Sequence, residues 1–96
     1  MLVIVSYDVS TVDPAGKKRL RTVAKICKDY GIRVQNSVFE CNVDPVQWLN
    51  LKNSLLSVYS PDLDSLRFYY LGSNYKNKVE HCGAKMAVDV EETLIL

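Results

Sequence analysis

The feature that most constrains the fold is an Asp-Pro pair that occurs twice, each time after an apolar segment. Asp13-Pro14 follows the β-branched run of residues 2–8, and Asp44-Pro45 follows the alternating segment 38–43. Aspartate is a preferred N-cap, and proline costs nothing at the first helical position because that N–H has no partner within the helix. Each half of the chain is therefore predicted to be a strand, a capped helix and a returning strand.

The rest of the sequence completes an α+β fold. Apolar residues at helical spacing predict a first helix that ends at Gly31 and a second that ends before Ser60. Asn36-Ser37 supplies the turn of a hairpin over residues 32–43, and residues 66–71 read as a fourth strand. The order strand, helix, strand, strand, helix, strand predicts a ferredoxin-like βαββαβ sandwich, with two helices on one face of an antiparallel sheet.

The length of 96 residues fits one domain that spans residues 1–96. A core of this size is marginal and the second sheet face lacks a cover, so we expect a homodimer. Residues 73–88 are polar and turn-rich with no clear period, whereas residues 93–96 predict a short extra strand at the sheet edge. The longest apolar run, residues 1–5, is far short of the ~20 residues of a membrane span, so no membrane partner is expected.

The net charge of +1 conceals a cluster of basic residues. Seven of the twelve lie between positions 17 and 33, and they are Lys17, Lys18, Arg19, Arg21, Lys25, Lys28 and Arg33. Lys17, Arg21, Lys25 and Lys28 are separated by four, four and three positions, which puts them on one outward stripe of the first helix. A basic face attracts polyanions, but an ordinary solvated helix face has the same composition, and both interpretations stay open.

The sequence contains no Gly-rich phosphate loop, HExxH, GxSxG or metal-spaced Cys/His cluster. His81 is the only histidine, and its neighbour Cys82 is not a convincing partner because adjacent residues seldom face each other. Cys27, Cys41 and Cys82 are odd in number and widely spaced, which is typical of free thiols in a reducing cytoplasm. Cys27 and Cys41 fall on apolar stripes and are predicted to be core residues.

Asp8 is the acid with the most informative position, at the carboxyl end of the predicted central strand. It is either a cap for the following turn or a functional oxygen ligand. One carboxylate is too few for a metal nuclease, but a two-fold axis would supply a second. Two such carboxylates repel each other, and a divalent cation relieves that repulsion.

Several segments together resemble a known family, the small CRISPR-associated adaptation protein. The segments are Ser6-Tyr7-Asp8, Lys17-Lys18-Arg19-Leu20-Arg21, Arg33-Val34-Gln35-Asn36-Ser37-Val38-Phe39-Glu40-Cys41 and Asp64-Ser65-Leu66-Arg67-Phe68-Tyr69. This is the second of the two universal adaptation proteins, often labelled an endoribonuclease or endodeoxyribonuclease. The resemblance covers roughly residues 1–72, and Asn74-Tyr75-Lys76 with Val79-Glu80 is similar to the variant of type I systems of the C subtype.

The resemblance implies a ferredoxin-like homodimer in which the C-terminal segment, residues 73–96, joins the partner's sheet. It implies that the protein binds between copies of the CRISPR-associated integrase and helps to insert new spacers. The expected nucleic-acid partner is double-stranded DNA, or RNA. Asp8 matches the family aspartate that is proposed to bind Mg²⁺ or Mn²⁺ at the dimer interface. Arg19, Arg33 and Phe39 match family positions near that site. The two arginines would hold phosphate, whereas Phe39 would belong to the site or to the packing around it.

Three functions follow as hypotheses. The first is a metal-dependent endonuclease with Asp8 as catalytic residue and metal ligand. The second is a non-catalytic DNA-binding scaffold, whose basic helix holds phosphates without reading bases. The third is an RNA-binding or regulatory domain, which is disfavoured because strand one offers only Tyr7 for base stacking.

Overall fold

The computed structural model describes residues 1–71 and 79–84 and confirms the predicted ferredoxin-like α+β fold. The elements are β1 (Leu2–Asp8), α1 (Pro14–Lys28), β2 (Gly31–Gln35), β3 (Val38–Asn42), α2 (Pro45–Val58), β4 (Ser65–Leu71) and β5 (Val79–Gly83). The five strands form one antiparallel sheet in the order β2-β3-β1-β4-β5. Among these residues, neither helix has the length and apolar character needed to cross a bilayer.

Both Asp-Pro pairs start helices, as predicted. The Asp13 Oδ1 atom accepts a hydrogen bond from the Gly16 amide at 2.7 Å. Asp44 accepts from the Gln47 amide at 2.7 Å, and the Gln47 side chain accepts in return from the Asp44 amide at 2.9 Å. This reciprocal pair is a capping box, which satisfies two helix-end N–H groups at once.

Strand β1 lies in the middle of the sheet, and its two faces have different environments. Val3, Val5 and Tyr7 point toward the helices and are buried, whereas Ile4 and Asp8 belong to the opposite face. The core also contains residues from the other strands and from both helices, namely Leu20, Val23, Ala24, Cys27, Phe39, Cys41, Val43, Trp48, Leu51, Leu55, Leu66 and Phe68. The prediction that Cys27 and Cys41 are core residues is therefore confirmed.

The predicted end of the first helix is wrong. Helix α1 ends at Lys28 with Asp29 as its C-cap, and Gly31 is the first residue of β2. The glycine is needed for a different reason, because a Cβ atom at Gly31 would lie 1.9 Å from the carbonyl oxygen of Glu40 on β3. Gly31 thus allows two strands to approach closely rather than closing the helix.

Strand β5 lies within residues 73–88, the polar segment in which the sequence shows no clear period. Residues 79–83 pair with β4 of the same chain, and Glu80 fixes them to α2 and β4. The Glu80 carboxylate accepts from Lys52 Nζ at 2.6 and 2.8 Å and from the Tyr70 hydroxyl at 2.7 Å. Residues 72–78 and 85–96, which include the predicted strand at 93–96 and most of the segment expected to join a partner, lie outside the described residues.

The contact at Gly31 gives the first testable prediction. The Gly31→Ala substitution should lower the free energy of unfolding by about 1–3 kcal/mol or more, because the added methyl group meets backbone and not a flexible side chain. Urea unfolding followed by circular dichroism measures the effect. Val34→Ala, at an exposed position of the same strand, is the control and should change stability by less than about 0.5 kcal/mol. Equal effects of the two substitutions would contradict the close approach.

Candidate functional site

An open pocket of about 410 Å³ lies at the carboxyl end of β1. It is bounded by the end of β1, the residues that follow it, the β2–β3 turn and the beginning of β4. Its polar lining includes Ser6, Asp8, Asn36, Ser37, Ser65 and Arg67. The pocket therefore collects hydroxyl and amide groups, one carboxylate and one guanidinium around a volume within the ~300–1,000 Å³ range of small-ligand sites.

The pairing of β1 with β4 determines which side chains meet in this pocket. Asp8 is opposite Ser65, and Ser6 is opposite Arg67. Side chains alternate across a strand, so Ser6, Asp8 and Arg67 belong to the face away from the helices. Asp8 is exposed and Arg67 is half-buried. The structure thus places the predicted site residue Asp8 next to an arginine to which the sequence assigned no role.

The β2–β3 turn forms the other wall of the pocket. The Tyr7 amide donates to the Ser37 carbonyl at 2.9 Å, which joins the turn to β1. Arg33 folds back over this turn, where its Nε donates to the Asn36 carbonyl at 2.8 Å. Its guanidinium also lies 5.6 Å from the centre of the Phe39 ring. Arg33, predicted to bind phosphate, therefore has an observed contact that shapes the turn, and its role toward nucleic acid stays a prediction.

Arg19 has an inward position that its place in the basic cluster did not indicate. Its Nε donates to Asp64 Oδ2 at 2.8 Å and its Nη2 donates to Asp64 Oδ1 at 3.1 Å, so the ion pair is bidentate. The Tyr7 hydroxyl and the Ser60 amide also donate to this carboxylate. The Asp64 side chain is fully buried, and that of Arg19 is 18% exposed. The guanidinium is thus engaged by an acid inside the fold, and a contact with phosphate stays a prediction.

Burial and hydrogen bonding act in opposite directions on the Asp64 carboxyl. Burial alone would raise its pKa, but the hydrogen bonds from Arg19 and Tyr7 outweigh burial, with help from the Ser60 amide. The pKa of Asp64 is consequently lowered, and the group is a carboxylate at neutral pH. Burial, followed by the bond to Asp64, raises the pKa of Tyr7 well above its ordinary value, so the hydroxyl keeps its proton.

The remaining basic residues of α1 are all exposed, as the sequence predicts. They are Lys17, Lys18, Arg21, Lys25 and Lys28. The face of α1 opposite to them packs on the core through Leu20, Val23 and Cys27. We call Lys17, Arg21, Lys25 and Lys28 the basic stripe.

Comparison with known proteins assigns the family. The model of the family described as CRISPR associated protein Cas2 matches residues 1–79. The chain is 62% identical, over the full length of both proteins, to the "CRISPR-associated endoribonuclease Cas2" of Chlorobaculum tepidum. It is 64% identical to the protein of that name from Nitratidesulfovibrio vulgaris, over 100% of this chain and 94% of the relative. A crystal structure of Streptococcus pyogenes Cas2 superposes with a TM-score of 0.74 and 55% identity, over 83% of this chain and 96% of that one.

The chain belongs to the Cas2 family. This confirms the resemblance that the strand end, the hairpin and the basic helix carry in the sequence. The C subtype stays a prediction.

The donor set at Asp8 fits half of a metal site of the kind the Cas2 resemblance implies. Within residues 1–71 and 79–84, no group of three or more His, Cys, Asp or Glu side chains is close enough to hold a metal ion. Asp8 is nevertheless an exposed carboxylate beside the hydroxyl-bearing residues Ser6, Ser37 and Ser65, and oxygen is the ligand that Mg²⁺ prefers. Because Mg²⁺ keeps several of its own waters, one carboxylate from each of two chains suits it.

Two residues of the site region received no role from the sequence, although the pattern held a signal for each. Asp64 directly precedes the apolar strand β4, and a polar residue at a strand end often bonds to nearby backbone, as Asp64 does with the Ser60 amide. Arg67 alternates with Leu66 and Phe68, so a period of two already puts it on the face opposite the core. His81 and Cys82 point to opposite faces of β5, which agrees with the expectation that they do not act together.

The buried Asp64 carboxylate gives a prediction on stability. Asp64→Asn should lower the free energy of unfolding at neutral pH by about 1.5–3 kcal/mol, since it removes charged hydrogen bonds. The folded pKa is below that of an unfolded aspartate, ~3.9, so this contribution is complete above that pH and is lost as the pH falls through the lower folded value. Urea unfolding between neutral pH and pH ~3 measures both effects.

Asp62→Asn is the matched control, because Asp62 is exposed in the same loop. We expect it to change stability by less than about 0.5 kcal/mol. If Asp64→Asn has no larger effect than this control, the carboxylate does not stabilise the fold as the geometry indicates.

Proposed function

We propose that this chain is a CRISPR adaptation protein that binds DNA through α1 and acts as a scaffold for the integrase. The support is the exposed basic stripe, which runs along one side of a helix whose other side is fixed in the core. Four cations at this spacing hold phosphates as a line of charges, without reaching base edges. Binding of this kind tolerates any sequence and depends steeply on salt.

A homodimer belongs to this proposal. Two copies present two basic stripes, so one duplex meets twice as many cations. Dimerisation also pairs the two Asp8 carboxylates if the two-fold axis passes near the end of β1. The sheet face that would meet the partner combines apolar and charged residues, including Ile4, Glu40 and Tyr69, and no element within residues 1–71 and 79–84 covers it.

We also propose a metal-dependent endonuclease activity at the Asp8 pocket, on DNA or RNA. The supporting observation is an exposed carboxylate at the mouth of a polar pocket, in a chain whose relatives are named endoribonucleases. A bound Mg²⁺ or Mn²⁺ would supply Lewis acidity to the phosphodiester. Asp8 would hold the ion, and the surrounding hydroxyl groups would orient the phosphate. One carboxylate per chain and no evident general base predict a slow enzyme.

The alternative is a purely non-catalytic scaffold. In that case Asp8 caps its turn, and the pocket has no chemical role. Base stacking on β1, which the RNA-recognition hypothesis requires, has little support because the Tyr7 ring is buried in the core.

The basic stripe gives a prediction on binding. Lys17→Ala combined with Arg21→Ala should weaken duplex binding similarly for unrelated sequences and lower the salt slope by ~0.9 for each lost phosphate contact. Fluorescence anisotropy at several salt concentrations measures this slope. Lys52→Gln removes a positive charge from α2 and should leave the slope unchanged. A slope that is identical in the stripe variant and the unsubstituted protein would place the DNA elsewhere.

The Asp8 pocket gives a prediction on cleavage. Asp8→Asn keeps the shape and removes the charge, so cleavage and Mg²⁺ binding should fall while the dimer mass measured by light scattering stays the same. Calorimetry measures metal binding independently of cleavage. Native-rate cleavage by Asp8→Asn, in preparations free of contaminating nuclease, would assign the chemistry to another residue.

Spacer acquisition in cells separates the two proposals. Normal acquisition with Asp8→Asn supports the scaffold alone. Loss of acquisition with an intact complex supports a required cleavage step.

A further inference from the structure

The arginines around the end of β1 differ in what their side chains contact. Arg19 is engaged by the Asp64 carboxylate, and Arg33 is engaged by the Asn36 carbonyl and the Phe39 ring. Arg67 forms no side-chain hydrogen bond or ion pair with any residue in the described ranges 1–71 and 79–84. It is half-buried and lines the Asp8 pocket. Of the three, Arg67 is thus the one whose guanidinium donors are available inside the pocket.

The position of Arg67 relative to Asp8 follows from the strand register. Ser6 is opposite Arg67 and Asp8 is opposite Ser65, so Asp8 and Arg67 are diagonal neighbours on one face of an antiparallel pair. Diagonal neighbours lie about 7–8 Å apart, and their Cβ atoms are somewhat closer. Both side chains therefore line one pocket, in which the guanidinium can meet a bound phosphate group.

The chemistry of arginine favours this use. Its guanidinium is planar, stays charged and offers donors in a fork that matches two oxygens of one phosphate. A half-buried cation has also lost part of its hydration, so that it gains more from a bound anion than a fully exposed lysine does. The hydroxyl groups of Ser6 and Ser37, which line the same pocket, can donate to the remaining phosphate oxygens.

We propose that Arg67 binds the phosphodiester group of the nucleic acid inside the Asp8 pocket, while the basic stripe holds the rest of the polymer. This inference rests on the proposed function, because it names the residue that takes the reacting phosphate of that site. It also divides the cations of the protein into two classes. Those of α1 determine the affinity for long polymers, and Arg67 determines how a single phosphate is held.

The test uses a short ligand, which limits contacts with the basic stripe, and a protein that does not need to cut. A single-stranded tetranucleotide, as RNA and as DNA, is titrated into the full-length Asp8→Asn protein and followed by NMR. Adding Arg67→Gln should weaken binding roughly tenfold to a hundredfold, as expected for a lost hydrogen bond between charged groups. Arg67→Lys should lose less affinity, because it keeps the charge but not the fork.

Lys52→Gln is the control for loss of one positive charge, and it should leave tetranucleotide affinity unchanged because Lys52 contacts Glu80 on the other side of the sheet. Melting temperatures of all variants separate lost binding from lost folding, and Arg67→Lys keeps the comparison available if Arg67→Gln is unstable. Equal affinity of Arg67→Gln and the parent protein would overturn the proposal. So would an equal loss in Lys52→Gln.

The two proposals for this pocket fail separately. If the unsubstituted protein cuts no substrate, the nuclease proposal is wrong. A tenfold loss of tetranucleotide binding in Arg67→Gln would still support phosphate binding by Arg67. A different result is that cutting requires Asp8 but not Arg67, with equal tetranucleotide affinity in the proteins with and without Arg67→Gln. That result contradicts only the role assigned to Arg67.

Discussion

The buried carboxylate of Asp64 joins three segments of the chain. It accepts hydrogen bonds from Tyr7 at the end of β1, from Arg19 in α1 and from the Ser60 amide after α2. Its own backbone carbonyl accepts from the Ala84 amide at 3.0 Å, beyond β5. A fully buried charge is tolerated only when it is paired and hydrogen-bonded, so these partners must be in place together. The junction therefore fixes where β1 ends relative to α1 and β4.

The location of that junction explains how the site is built. Tyr7 and Asp8 are neighbours in β1, so they point to opposite faces of the sheet. The hydroxyl of Tyr7 is held by Asp64 on the inner face, which places the Asp8 side chain on the outer face of the sheet. Tyr7 thus anchors the end of the strand, and Asp8 lines the pocket on the other face of the sheet.

Local signals in the sequence predicted most of the fold, and the errors fall where structure depends on distant partners. The two Asp-Pro caps and the alternation along β1 and β3 act over a few residues, so the sequence reveals them. Strand β5 has no such signal, because its pairing with β4 and the contact between Glu80 and Lys52 come from other parts of the chain. The same holds for Arg19, since spacing along a helix does not show which cation meets a buried acid.

The charge pattern in the sequence could not show which cations of the site are held by the fold. Their hydrogen-bond partners in the structure show it. Arg19 and Arg33 stabilise the framework around the pocket, and a substitution at either one changes the shape of the pocket as well as its charge. Loss of activity in such variants therefore does not show that the arginine touches substrate. The basic stripe and Arg67 differ in this respect, because no contact within the described residues ties their charges to the fold. Substitutions there should leave the framework intact, so a loss of nucleic-acid binding or of cleavage in such a variant would report on the substituted side chain itself.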